Sequence, residues 1–213
     1  MRATRDGIVL DKAELKALLE FAHAAPDSMH AVVHFEVSGE HVHAYATTTA
    51  RSVEVQGVAE SDAHEGVWSV YRDFLVACHK LIGSGQHLVL EVSHSSLNRA
   101  VVMGEGEDGE LVECASMTWP RDASVSQSGF TAEGFRRYVQ LPAVARRVKC
   151  VTVSAAHLGA LAVVSKAAGE SVDLYVGKDR SDPLFFRFDG DLTTWTGSIV
   201  PRRSPADMED TEE

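Results

Sequence analysis

The sequence predicts an α+β protein in which a unit of one helix followed by strands occurs twice in tandem. Three observations predict it. Apolar residues recur with the helical period in separate stretches, and between them the period switches to strict alternation. Short alternating runs are divided by Gly- and Asp-rich turns. And "SVYRDFLVACHKLIGSGQHLVLEVS" (69–93), helical spacing that becomes strand alternation at Gly-x-Gly, returns in weaker form as "VTVSAAHLGALAVVSKAAGESVDLYVG" (151–177).

The elements follow in order. After a short strand from residue 7, "DKAELKALLEFAHAAP" places Leu15, Leu18, Leu19 and Ala22 on one helix face, with Asp11 as N-cap and Pro26 as the stop. "AVVHFEVSGEHVHAYATT" then alternates. Val33, Phe35 and Val37 share a face with Val42, Ala44 and Ala46, and Ser38-Gly39 forms the hairpin turn. "RSVEVQGVA" is a third strand.

A short strand precedes a second helix, whose apolar stripe is Tyr71, Phe74, Leu75, Cys78 and Ile82. Gly83 and Gly85 end it through a left-handed cap. "HLVLEVS", "NRAVVMG" and "ELVECASMTW" are three further strands. "PRDASVSQSG" is a linker, and "FTAEGFRRYVQLPAVARRVK" has helical spacing broken at Pro142. In the repeat, Leu158, Leu161 and Ala162 form another helix face, followed by the strands "VDLYVG", "PLFFRF" and "TTWTGSIVP". Both copies run α-β-β-β and close on a strand followed by proline, at Trp119-Pro120 and Val200-Pro201.

The composition narrows the function. With 213 residues, 45% hydrophobic and 24% charged, the chain suits one large or two small globular domains. No apolar run approaches the ~18 residues of a membrane span. "MRATRDGIVLDKAEL" turns polar too early for a secretory signal, so a cytoplasmic protein is expected. Cys78, Cys114 and Cys150 show neither disulfide nor zinc spacing and are expected to be buried thiols. The net charge of −11 disfavours a protein that coats nucleic acid with its whole surface. Five acids and no base fall in "SPADMEDTEE", a tail expected to be disordered.

Catalytic signals are weak. "GEGEDGE" has no lysine and is a hairpin turn that repels phosphate. "VSHSSLNRA" sets His94 beside two serines, but adjacency makes no triad. No nucleotide fingerprint is present. His34 and His43 are expected to face each other across the hairpin, with His41 on the same face. Three imidazoles on one face is a set that zinc accepts. No cysteine or carboxylate is forced into that set, so exposed strand histidines are expected and no metal or cofactor is assigned.

Several stretches together, "VLDKAELKALLEFA", "VVHFEVSGEHVHAYATT", "WSVYRDFLVACHKL", "HLVLEVS" and "WTGSIVPRR", resemble the DNA polymerase sliding clamps: the bacterial polymerase III β subunit and, in size, the proliferating-cell antigen and phage clamps. The resemblance covers nearly all of residues 7–119 and most of 150–203. It implies a DNA-clamp-like fold of two tandem domains, each of antiparallel sheet with helices on one face: domain 1 over 1–119, a linker over 120–130, a shortened domain 2 over 131–203 and the tail over 204–213. Residues 131–150 leave almost no room for the hairpin and third strand of a full clamp domain.

A clamp catalyses nothing, so no enzyme activity is implied. Inward helices offer mobile positive charge to duplex DNA, and phosphate attraction is independent of sequence. The first helix is neutral by count, with Lys12 and Lys16 against Glu14 and Glu20. The expected DNA-binding set is Arg72 and Lys80 on the second helix, Arg136, Arg137, Arg146, Arg147 and Lys149 in the basic segment, and Lys166 on the last helix. Val200, Pro201 and Arg202 match the closing peptide beside the partner groove of bacterial clamps, although Arg202 replaces an apolar residue there. The implied partners are duplex DNA, polymerase or other clamp-binding peptides, and further copies of the chain, with a trimer by analogy with six-domain rings. The alternative is a clamp-derived regulatory protein that keeps the fold and does not encircle DNA.

Overall fold

A computed structural model of the chain describes residues 1–24, 31–48, 50–93, 96–106, 108–119, 153–168, 172–176, 182–190 and 192–201. Strands β1 (Arg2–Thr4) and β2 (Gly7–Asp11) lead into helix α1 (Lys12–Phe21). The hairpin β3 (Val32–Ser38) and β4 (His41–Thr47) follows, then β5 (Arg51–Ala59) and β6 (Gly66–Tyr71). Helix α2 (Arg72–Leu81) precedes β7 (His87–Ser93), β8 (Ser96–Glu105) and β9 (Leu111–Thr118). Helix α3 (Ala155–Ala168) precedes β10 (Asp173–Val176), β11 (Leu184–Asp189) and β12 (Thr194–Ile199).

Residues 7–119 hold two interlocked β-α-β-β-β units. Strand β2 leads into α1 but pairs with β7, beyond α2. Strand β6 leads into α2 but pairs with β3, beyond α1. Each unit thus lends its first strand to the other's sheet. The third unit, α3 with β10 to β12, joins through the antiparallel pairing of β12 with β5. Antiparallel pairing therefore runs unbroken through β6-β3-β4-β5-β12-β11-β10, and a short parallel contact of β1 with β5 links on β1-β2-β7-β8-β9.

The local chemistry explains the elements. Asp11 and Glu14 close a capping box: the Glu14 amide donates to Asp11 Oδ1 at 2.7 Å, and the Asp11 amide donates to Glu14 Oε2 at 2.9 Å. Leu15, Leu18 and Phe21 are fully buried beneath α1, at roughly 1.5–3 kcal/mol apiece. The helix stops at Phe21, and Pro26 lies outside the described residues.

Alternation in the hairpin puts Val33, Phe35, Val37, Val42, Ala44 and Ala46 in the core. The turn is Gly39-Glu40, one residue later than expected, because Ser38 pairs with His41. Gly39 has φ +57°, which suits the first central position of a type II′ turn. That shift leaves each side chain on its expected face but moves every cross-strand partner by two residues.

Two helix expectations need correction. Gly83 is not in the left-handed region; of the two glycines expected to cap α2, Gly85 alone is, at φ +73°. Ile82, with extended backbone, ends α2, and its carbonyl accepts from Lys12 Nζ at 2.5 Å. On α3, Leu158 is 50% exposed and Ala162 is exposed, while Ala160, Leu161 and Val164 are buried. Residues 158–164 are all small or apolar, so periodicity alone admits several faces. Contact with α1, β11 and β12 selects one.

One core joins the units. Phe21 of α1 meets Phe186 of β11 at 5.8 Å between centroids, and Phe186 meets Phe188 at 5.9 Å. Trp195 is fully buried, with its indole N–H donating to Thr193 Oγ1 at 3.2 Å. No described helix is long and apolar enough to cross a membrane.

Candidate nucleic-acid interface

Helix α1 packs against both α2 and α3, so the three helices form one layer. On α1 the outward residues are Lys12, Ala13 and Lys16. Glu14 points inward, is buried, and ion-pairs with the Met1 amine. Burial raises its carboxyl pKa, opposed by the Met1 ammonium. Glu20 is half-buried. The face that looked neutral by count is therefore cationic, because one of its two carboxylates is spent on the cap and the core.

On α2, Lys80 and Asp73 are exposed and Arg72 is half-buried. Arg72 Nε donates to the Leu19 carbonyl at 3.4 Å. His79 Nε2 is buried without a hydrogen-bond partner among the described residues. Its pKa is held below the ordinary value by burial first, then by Lys12 and Lys16. On α3 the exposed residues are Ala155, Ala156, Leu158, Gly159, Ala162 and Lys166. Lys16, Lys80 and Lys166 have no hydrogen bond or ion pair among the described residues.

Many described carboxylates lie on strands and are engaged. Glu91 and Glu113 hold Arg99, at 2.8 and 3.2 Å. Glu54 holds His43 Nδ1 at 2.9 Å, and Asp189 holds Arg187 at 2.8 Å. The free cations of the described chain therefore include a set on the helical layer.

Of the expected DNA-binding set, Arg72, Lys80 and Lys166 fall on this layer, while Arg136, Arg137, Arg146, Arg147 and Lys149 lie outside the described residues. Counting charges missed Lys16. The capping-box spacing Asp11-x-x-Glu14 is the signal that would have found it, since it commits Glu14 elsewhere. Of the expected partner groove, Val200 is 44% exposed and its amide donates to the Ala50 carbonyl at 2.9 Å. Pro201 is half-buried, and Arg202 lies outside the described residues.

The histidine expectation is corrected. His43 pairs with Glu36, His34 with Tyr45 and His41 with Ser38, so His34 and His43 are not opposite. The displaced turn is the cause. His34 Nδ1 lies 2.7 Å from Ser69 Oγ, and His41 Nδ1 lies 3.2 Å from Gln56 Nε2. The described residues contain no group of three ligands fit for a metal ion. Cys78 is buried, which pushes its thiol pKa up to about 11, but Cys114 is exposed, against expectation. Cys150 lies outside the described residues.

No family model matches the chain, and no curated protein matches it by sequence. Solved structures do. The DNA polymerase sliding clamp of Caulobacter crescentus superposes with a TM-score of 0.51 at 12% identity, covering 96% of this chain and 68% of that one. The H. pylori beta clamp in complex with diflunisal gives 0.52 at 10%, covering 96% of this chain and 66% of that one. A. fulgidus PCNA, bound to the C-terminal region of FEN-1, gives 0.51 at 11%, covering 92% and 98%. This chain thus spans about two thirds of the bacterial clamps' length and nearly all of the archaeal one. The expected α+β, clamp-like fold is borne out.

Proposed function

We propose that the chain is a clamp-like, non-catalytic protein that holds duplex DNA against its helical layer and works as a homo-oligomer. The observation that supports this most is the sorting of charge in a protein of net charge −11. Lys16, Lys80 and Lys166 stand unpaired among the described residues on one layer of α1, α2 and α3, while Glu14 is withdrawn into the core. Mobile lysines facing phosphates supply attraction without base readout, which suits sliding. The proposal includes Arg136, Arg137, Arg146, Arg147 and Lys149 as part of the phosphate track, and Val200, Pro201 and Arg202 as a border of a partner groove. It also includes the division at 120–130 into a full domain and a shortened one, and a cytoplasmic location.

The test is retention on closed circular against linear duplex of the same length, at rising salt, alongside sedimentation. Topological binding requires the circular complex to outlive the linear one and the protein to sediment as an oligomer. Equal release from both, by a monomer, rejects encirclement.

A second reading has its own support. The exposed residues of α3 before Lys166 are uncharged and small or apolar: Ala155, Ala156, Leu158, Gly159 and Ala162. Such a face suits protein better than phosphate. A clamp-derived regulatory protein that does not encircle DNA would carry it, and the same experiment separates the two.

A further inference from the structure

The first residue of α1 and the first residue of α2 are both cations, Lys12 and Arg72. Each sits at the wrong end of its own helix, since the N-terminus carries the positive end of the dipole. Each, however, reaches the C-terminal end of the other helix. Lys12 Nζ donates to the Ile82 carbonyl at 2.5 Å, and Arg72 Nε donates to the Leu19 carbonyl at 3.4 Å. The two helices therefore run antiparallel, and each shields one carbonyl near the other's end. Terminal carbonyls lack helical partners and favour cations. The last turn of α1 has no basic residue of its own, so Arg72 fills a real vacancy.

We propose that Lys12 and Arg72 are positioning residues, a reciprocal pair of staples that set α1 against α2, and that Lys16, Lys80 and Lys166 are the described residues that touch DNA phosphates. The inference rests on the DNA association proposed above. A staple cannot swing to a phosphate without uncovering a carbonyl, whereas the three lysines give up no partner among the described residues. The staples hold Lys16 and Lys80 in fixed relation, because one is on each stapled helix.

Binding of a fluorescent duplex oligonucleotide, followed by anisotropy across a salt series, separates the roles. Each contacting lysine contributes about 0.9 to the slope of log affinity against log salt. Lys16→Gln, Lys80→Gln and Lys166→Gln should each lower the slope by about that amount and leave Tm near the wild-type value. Lys12→Met and Arg72→Met should lower Tm and weaken binding by a constant factor at every salt, with the slope unchanged. Lys12→Arg and Arg72→Lys, which keep a donor, should restore both. A slope lowered by about one in Lys12→Met or Arg72→Met, with Tm unchanged, overturns the staple assignment. Unchanged slopes in the three glutamine variants overturn the contact set. If the wild-type chain shows no salt-dependent association, the functional proposal fails, and the Tm values and their rescue still decide the staples.

Discussion

Replacing Gly197 with alanine tests whether β12 and β5 form a true seam between the third unit and the first two. An added Cβ at Gly197 would collide with the Ser52 carbonyl oxygen and Phe186 Cζ, and would come within 2.8 Å of Phe186 Cε1. Neither obstacle yields easily. Ser52 pairs with Ser198 in the ladder, and Phe186 is fully buried between Phe21 and Phe188. Overpacking costs about 1–3 kcal/mol. Separating the strands around Gly197 and Val53 forfeits a pair of ladder hydrogen bonds at about 1 kcal/mol each. The variant should therefore lose roughly 3–5 kcal/mol, a drop of about 10 °C in Tm for a chain of this size. Gly159→Ala is the control. It lies within α3 with no atom of the described residues inside 4 Å of the new Cβ, so it should gain about 0.5–1 kcal/mol and raise Tm slightly. Thermal unfolding followed by circular dichroism reads both. If Gly197→Ala melts with or above the wild type, the seam is not as described and the third unit packs elsewhere.

Phe186→Ala removes a fully buried ring that touches Phe21 and Phe188, and should cost about 3–5 kcal/mol, read as a lower urea midpoint. His79 is held below its ordinary pKa, so the unfolded chain takes up its proton first as pH falls. Its contribution is complete above about pH 6.5, the unfolded value, and is lost as pH drops through the folded value. Between pH 7 and 5, His79→Gln should therefore lose less Tm than the wild type, and an equal or steeper loss would remove His79 from the account. In a Cys150→Ser background, Cys114 should react with a disulfide reagent in the native protein, while Cys78, buried and pushed up to about 11, should react only on unfolding. Asp11→Ala should cost about 1 kcal/mol of thermal stability through loss of the α1 capping box.

The strands were legible because one face of each is buried and period-two alternation records that directly. The run "RSVEVQGVA" matches β5 from Arg51 to Ala59. The short strand before α2 was also legible, but its partner was not: nothing in "GVWSVY" says that it pairs with β3 rather than with the strands that follow it. The orientation of α3 was illegible for the opposite reason, since "LGALAVV" is apolar on every side. The candidate site was partly legible. Lys80 and Lys166 follow from their positions on amphipathic or C-terminal turns. Lys16 was hidden by Glu14, whose burial depends on the cap and the Met1 amine, and the role of Arg72 depends on a carbonyl of a different helix.

By itself the sequence determined the alternation of helices and strands, the faces of the hairpin, the start of α1 and the repeated α-β-β-β order. These are properties of neighbouring residues, set by backbone periods, caps and turns that act over a few positions. Tertiary structure alone decided the exchange of β2 and β6 between units, the attachment of β12 to β5, the face α3 buries and which of the described cations have no partner among the described residues. Each of these is settled by contacts between residues distant in the chain, where packing and the satisfaction of terminal carbonyls outweigh local preference.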